Sequence, residues 1–249
     1  MAQNVPGPVA VARLVAEGAT AIKIDPLAHL CRSWYDELHA GVNIERLDLK
    51  TLPGRVRMRA LLTTADVFLA SQRPAALARL GLAPQTLHGE LPSLRYVNIV
   101  GDTANPEEPG HDLTYQARAG LLSATMPLTL VGDMIGAERV HHVINEAMRE
   151  PGATRMVGLF DALHDLAAPL RHGLTATGGP LGGGNPAYAI YRAKEGSIAV
   201  AALEPHFRSR FYEGLGLADG ADPSAAFLTR SAAEWEQWAA ARDLPLVAC

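Results

Sequence analysis

A histidine and an aspartate stand side by side in Pro109-Gly110-His111-Asp112-Leu113-Thr114-Tyr115, where a loop enters a helical pattern. An imidazole, whose ordinary pKa is about 6.5, gives or takes a proton near neutral pH. A plainer explanation competes: Asp112 caps the helix by accepting backbone N–H bonds, and His111 is a solvated loop residue. Asp133 repeats the choice after Leu130-Val131-Gly132, as either an N-cap or an acid/base group. Glu204 ends the apolar run Ala199-Val200-Ala201-Ala202-Leu203 and precedes Pro205. Partial burial there raises a carboxyl pKa toward the range useful for general acid/base work. The residue types point to proton transfer; their spacing alone does not join the three into one site.

Other chemistries find less support. Gly182-Gly183-Gly184 lacks the Gly-Lys-Ser/Thr ending of a phosphate loop and precedes a strand pattern, so it reads as a flexible linker. No G-x-S-x-G elbow is present. His141 and His142 are adjacent on a helical pattern and point about 100° apart, and no i,i+4 pattern completes a site, so no metal site is expected. The 22 Lys+Arg against 26 Asp+Glu give a net charge of −4, which leaves no basic excess for nucleic acid. Cys31 and Cys249 form no metal-type or CxxC spacing, which predicts a reduced, cytoplasmic protein. No apolar run approaches the roughly 20 residues that span a bilayer, and Met1 to Pro8 lacks the charged and apolar regions of a signal peptide.

The elements that must position these residues follow from periodicity. The chain has 249 residues, 48% hydrophobic and 19% charged, so it is globular and amounts to one large or two small domains. Aromatics are only 6%, so Ala, Leu, Val and Ile must build most of the core. After the turn Pro6-Gly7-Pro8, a helix is expected over Val9–Glu17 and a buried strand over Ala19–Pro26. Helix and strand then alternate: helix Arg55–Thr64, strand Asp66–Ala70, helix Ala75–Leu80 closed by Gly81, and strand Leu94–Val100. Asp112–Ser123 and Asp133–Arg149 read as helices. Beyond a Gly-rich stretch from Gly173 to Gly184, a hairpin is expected from Tyr188–Tyr191 and Ser197–Ala202. Helices follow, with Trp235 and Trp238 on one face, and the last residues look like a strand. This predicts a Rossmann-like, doubly wound α/β domain over 1–172 and a smaller α+β domain over 173–249.

Ser71-Gln72-Arg73-Pro74-Ala75-Ala76-Leu77-Ala78-Arg79-Leu80-Gly81-Leu82 resembles the "RPG…RLGL" motif of the family III CoA-transferases. Ala21 to Pro26 is similar to that family's "VVRIDRP" strand, Leu47-Asp48-Leu49-Lys50 to its "DLK" segment, and Pro109 to Asp112 to its "GHD" segment. Leu130-Val131-Gly132-Asp133 resembles its "LVGDF" helix start, and Ala201 to Phe207 its "GAIEPQF". The matches run in order over nearly the whole chain.

The resemblance implies that Asp133 is the shared carboxylate, a nucleophile in transferases and an acid/base group in racemases. His111 and Glu204 match the racemase branch. It therefore implies racemisation of 2-methylacyl-CoA thioesters, with Asp133 on one face of the α-carbon, His111 on the other, and Glu204 orienting the imidazole. Backbone N–H groups at the Asp133 helix start would hold the enolate oxygen. Coenzyme A would enter as part of the substrate, with no permanently bound cofactor and no metal. Lys23, Arg73, Gly101 and Tyr115 are the implied CoA-binding residues. The family also implies an interlocked homodimer; its entry strand ahead of the Pro-Gly-Pro segment and its long C-terminal return are expected to be missing from this sequence. The alternatives are CoA transfer through Asp133, or a non-catalytic binding or assembly subunit. One local feature is unfavourable to CoA: Asp102 to Glu108 is short of glycine and acidic where the family has a Gly-rich loop.

Overall fold

The computed structural model describes residues 1–25, 34–123 and 125–249. Pro26, at the end of the first expected strand, and Cys31 lie outside the described residues. The chain divides into two compact units, Met1–Ala167 and Ala168–Cys249.

In the first unit the elements run α1 (Pro6–Ala16), β1 (Ala21–Asp25), α2 (Tyr35–Leu38), β2 (Val42–Arg46), α3 (Leu52–Leu62) and β3 (Val67–Ala70). They continue with α4 (Pro74–Arg79), α5 (Pro84–Glu90), β4 (Arg95–Val100), α6 (Asp112–Arg118), α7 (Val131–Ala147), β5 (Thr154–Gly158) and α8 (Leu159–Leu166). β1 pairs with β2 and β4 pairs with both β3 and β5, all in parallel. β4 is central and buried from Tyr96 to Val100, as expected of a parallel strand covered on both faces. Tyr96 packs with Phe68, Leu77 and Leu87 among α3, α4 and α5. Val97 and Ile99 point the other way, onto Val140 and Ile144 of α7 and Ala10 of α1. Helices therefore cover both faces of the β3-β4-β5 sheet.

The expected single doubly wound sheet is interrupted. Among the described residues β1 and β3 do not pair, and a cleft of about 600 Å³ lies between them, lined by Ile24, Phe68 and Leu69 among others. The Met1 amino group donates to the Leu69 carbonyl at 2.8 Å and the Gln3 N–H to Ser71 Oγ at 3.0 Å, so the first residues run beside the end of β3. Two strands escaped the periodicity reading. β2 (Val-Asn-Ile-Glu-Arg) and β5 (Thr-Arg-Met-Val-Gly) are edge strands, half exposed and charged, where alternation is weakest.

Boundaries shift for local reasons. α1 begins at Pro6, inside the segment read as a turn, because proline at the first helical position fixes the needed φ. α3 begins three residues before Arg55, where the Thr51 hydroxyl accepts the Gly54 N–H at 3.2 Å. α6 stops at Arg118 rather than Ser123, since Gly120 takes the left-handed conformation at φ +74°.

The second unit holds α9 (Ala168–Arg171), β6 (Tyr188–Arg192), β7 (Ser197–Ala201), α10 (Pro205–Leu215), α11 (Ser224–Phe227), α12 (Ala232–Ala240) and β8 (Leu246–Ala248). β7 pairs antiparallel with the hairpin partner β6 and with β8. Phe211, Phe227, Trp235 and Trp238 pack against Ile198, Val200 and Leu246. The Trp235 indole donates to the Phe227 carbonyl at 2.9 Å, satisfying its buried polar atom. The glycine run is not a flexible linker. Gly178 and Gly184 N–H groups donate to the Gly182 and Gly179 carbonyls, both at 2.9 Å. A side chain at Gly182 would strike the Ala176 carbonyl oxygen, so this close turn admits only glycine there.

Candidate active site

Ligand sites in parallel α/β sheets form at the carboxyl ends of the strands. Here a cleft of about 250 Å³ opens there. Ser71 and Arg73 enter it from the end of β3, Gly101 from the end of β4, and His111 and Tyr115 from the start of α6. The first turn of α1, at Asn4 and Gly7, borders the same space. His111 is the N-cap of α6: its carbonyl accepts the Thr114 and Tyr115 N–H groups, and its own N–H donates to Thr114 Oγ1 at 3.1 Å. These backbone bonds fix where the exposed imidazole starts.

Four of the residues expected to act at the site, His111, Arg73, Gly101 and Tyr115, meet in this cleft. The glycine and the tyrosine are there for packing. Tyr115 is buried against Gly101 and Gly110, and a Cβ on either would overlap its phenol. Burial, followed by the charge of Asp133, pushes the phenol pKa up. Arg73, at the N-cap of α4, is exposed.

Asp133 is tied to this cleft through its neighbour Asp112. It is the third residue of α7, not the N-cap, which is Leu130. Asp112 Oδ1 accepts the Asp133 N–H at 2.9 Å, and Oδ2 accepts from Gln116 Nε2 at 2.5 Å. The Asp112 carboxylate thus caps α7 from outside while Asp112 itself begins α6. Sequence reasoning set Asp112 against its own helix and missed this. The signal was the Gln four residues later, an i,i+4 pair that sits on one helix face. Burial, then the like charge of Asp112, pushes the Asp133 pKa up to about 7. Two of the N–H groups at this helix start are already engaged: Asp133 N–H by Asp112, and Met134 N–H by the Leu130 carbonyl at 2.9 Å.

Lys23 lies away from this cleft within the first unit. Lys23, on β1, is buried; its Nζ lies 2.7 Å from His39 Nε2 and 3.7 Å from Asp25 Oδ1. A cation so enclosed has no free face for a phosphate. Glu204 belongs to the second unit, exposed at the N-cap of α10.

The acidic loop finds partners within the protein. Glu107 accepts the Ala75 N–H at the start of α4 at 2.7 Å. Arg118 pairs with Asp102 at 2.8 Å and Glu108 at 3.8 Å, while its guanidinium lies 3.9 Å from the Phe160 ring centroid. Arg118 holds the Asp102 carboxyl below its ordinary pKa. A second cleft of about 460 Å³ is lined by Leu49, Val56, Arg55 and Arg79. It lies at the other end of α4 from Arg73, six residues or about 9 Å along the helix. Among the described residues no cluster of three or more His, Cys, Asp or Glu is placed to hold a metal ion, and no helix is long and apolar enough to cross a membrane.

The sequence model of CoA-transferase family III matches residues 1–244. Alpha-methylacyl-CoA racemases of Mus musculus and Homo sapiens are each 28% identical, over 93% and 85% of this chain. The chain spans 66% and 62% of their lengths. A probable fatty acyl-CoA transferase of Mycobacterium tuberculosis, Rv3272, is 31% identical over 48% of the chain and 34% of its own length. The crystal structure of Rv3272 superposes with a TM-score of 0.81 at 23% identity, over 99% of this chain and 81% of that one. With the family's sequence model matching nearly its whole length, the chain belongs to CoA-transferase family III.

Proposed function

We propose that this protein racemises 2-methylacyl-CoA thioesters by removing and returning the proton α to the thioester carbonyl. One observation carries the reading: Asp133, with a pKa raised to about 7, stands on a helix start bonded directly to the residue after His111. One of the pair takes the α-proton from one face, leaving the C–H electron pair in the enolate. The other delivers its proton to the opposite face, so the Cα–H bond is broken and remade with inverted configuration. Each group is then left in the state that catalyses the reverse step.

CoA transfer is the second reading, favoured by the likeness to the probable fatty acyl-CoA transferase. An acyl-transferring carboxylate must be ionised to attack. A carboxyl that is about half protonated at pH 7 suits proton exchange better. Coenzyme A enters as part of the substrate, and no permanently bound cofactor takes part. The Arg73 guanidinium, with Arg55 and Arg79 at the far end of α4, offers the cations for its phosphates. Glu204 remains assigned by family resemblance, as does a cytoplasmic homodimer.

The test is α-proton exchange in deuterated water with a chiral 2-methylacyl-CoA, followed by NMR and chiral analysis. Deuterium at the α-carbon with loss of optical purity is expected, and Asp133→Asn and His111→Ala should abolish it. Absence of exchange by the parent protein removes the reading; a hydroxylamine-trapped adduct at Asp133 establishes transfer instead.

A further inference from the structure

We propose that Asp112 is a positioning residue whose carboxylate clamps the start of α7 to the start of α6 and so holds Asp133 and His111 in one acid/base arrangement. This rests on the racemase reading for the chemistry, but the clamp is read from geometry. Asp112 is 4% exposed and Gln116 2%, so neither is a solvated surface group. Both Asp112 oxygens are directed: one to the Asp133 backbone N–H, the other to Gln116. Gly132 shows how close the two helix starts are, since a Cβ there would lie 3.0 Å from Asp112 Oδ1. A single side chain thus fixes the helix that carries Asp133 and, as the neighbour of His111, the turn that carries the imidazole.

The clamp is also a charge. The titratable groups facing the first turn of α7 from α6 are Asp112 and Tyr115. Those on neighbouring elements are engaged elsewhere: Arg13 of α1 with Glu138, and Asp161 of α8 with Thr103. With Asp112 ionised beside it, Asp133 keeps its proton to a higher pH than burial alone provides.

Asp112→Asn separates the two roles. An amide oxygen can still accept the Asp133 N–H, and Gln116 can turn its own oxygen toward the new amide. The charge is gone, so the Asp133 titration midpoint, followed by carboxyl ¹³C NMR and assigned with Asp133→Asn, should fall by about one pH unit. The pH profile of α-proton exchange should move in the same direction. Asp112→Ala, which also loses the bond, should lower kcat on the order of 100-fold with little change in KM. An unmoved Asp133 midpoint in Asp112→Asn overturns the inference, as does parental exchange by Asp112→Ala. If Asp112→Ala does not fold, Asp112→Ser, which also loses the bond to α7, takes its place. A midpoint that shifts in a protein without exchange activity supports the charge contact between Asp112 and Asp133 and removes the racemase reading.

Discussion

Two charged residues of the first unit, the buried Lys23 and the half-buried Asp133, have opposite neighbours. Lys23 on β1 is enclosed with an opposite charge, Asp25, and with His39. Tyr35 adds a 2.7 Å hydrogen bond to Asp25 Oδ2 and a ring face 4.3 Å from the ammonium. Burial pushes the Lys23 pKa down, and Asp25 opposes the shift. Asp133 on α7 has a like charge as its neighbour, and burial and repulsion act in the same direction. Burial disfavours both charged forms; beside Lys23 an opposite charge works against that, whereas beside Asp133 a like charge adds to it.

The sharpest break of this contrast is Asp133→Asn, expected to lower α-proton exchange about 1,000-fold or more while the protein stays folded. Lys23→Met should do the reverse. It leaves Asp25 buried without its cation, costing about 3 kcal/mol in urea unfolding, while KM for acyl-CoA in the folded fraction stays at the parental value. A raised KM without lost stability would make Lys23 a phosphate ligand after all.

A smaller effect separates the two sites by pH. Because the folded-state pKa of Asp133 is raised to about 7, the native state holds its proton more tightly than the unfolded chain. Stability from this group is therefore full below about pH 4 and is lost as pH rises through 7. Asp133→Asn should accordingly raise the melting temperature at pH 8 by about 3 °C and change it little at pH 4. An equal effect at both values would mean that Asp133 is ionised throughout. The smallest effect belongs to the rim. Arg118→Ala should raise KM for acyl-CoA about threefold by leaving Asp102 and Glu108 without their cation, and added salt should reduce the difference.

Much of the fold was legible because it rests on local signals. β4 is an apolar run, α7 has helical spacing, and the β6–β7 hairpin is marked by its turn around Gly196. β2 and β5 were not legible, because edge strands carry charge and little alternation. His111 and Asp133 were legible as residue types at helix starts. Their connection was not, since it depends on a carboxylate capping a helix 21 residues away.

The amino-acid sequence alone determined the family and the alternation of helices and strands and nominated the acid/base candidates, all written in nearest-neighbour patterns and ordered motifs. Tertiary structure decided what each charge is for. It buried Lys23 with Asp25, turned the loop acids onto Arg118 and α4, and set Asp112 against Asp133. A side chain's charge is written in the chain, but the free energy of holding that charge depends on which groups folding brings within a few ångströms of it.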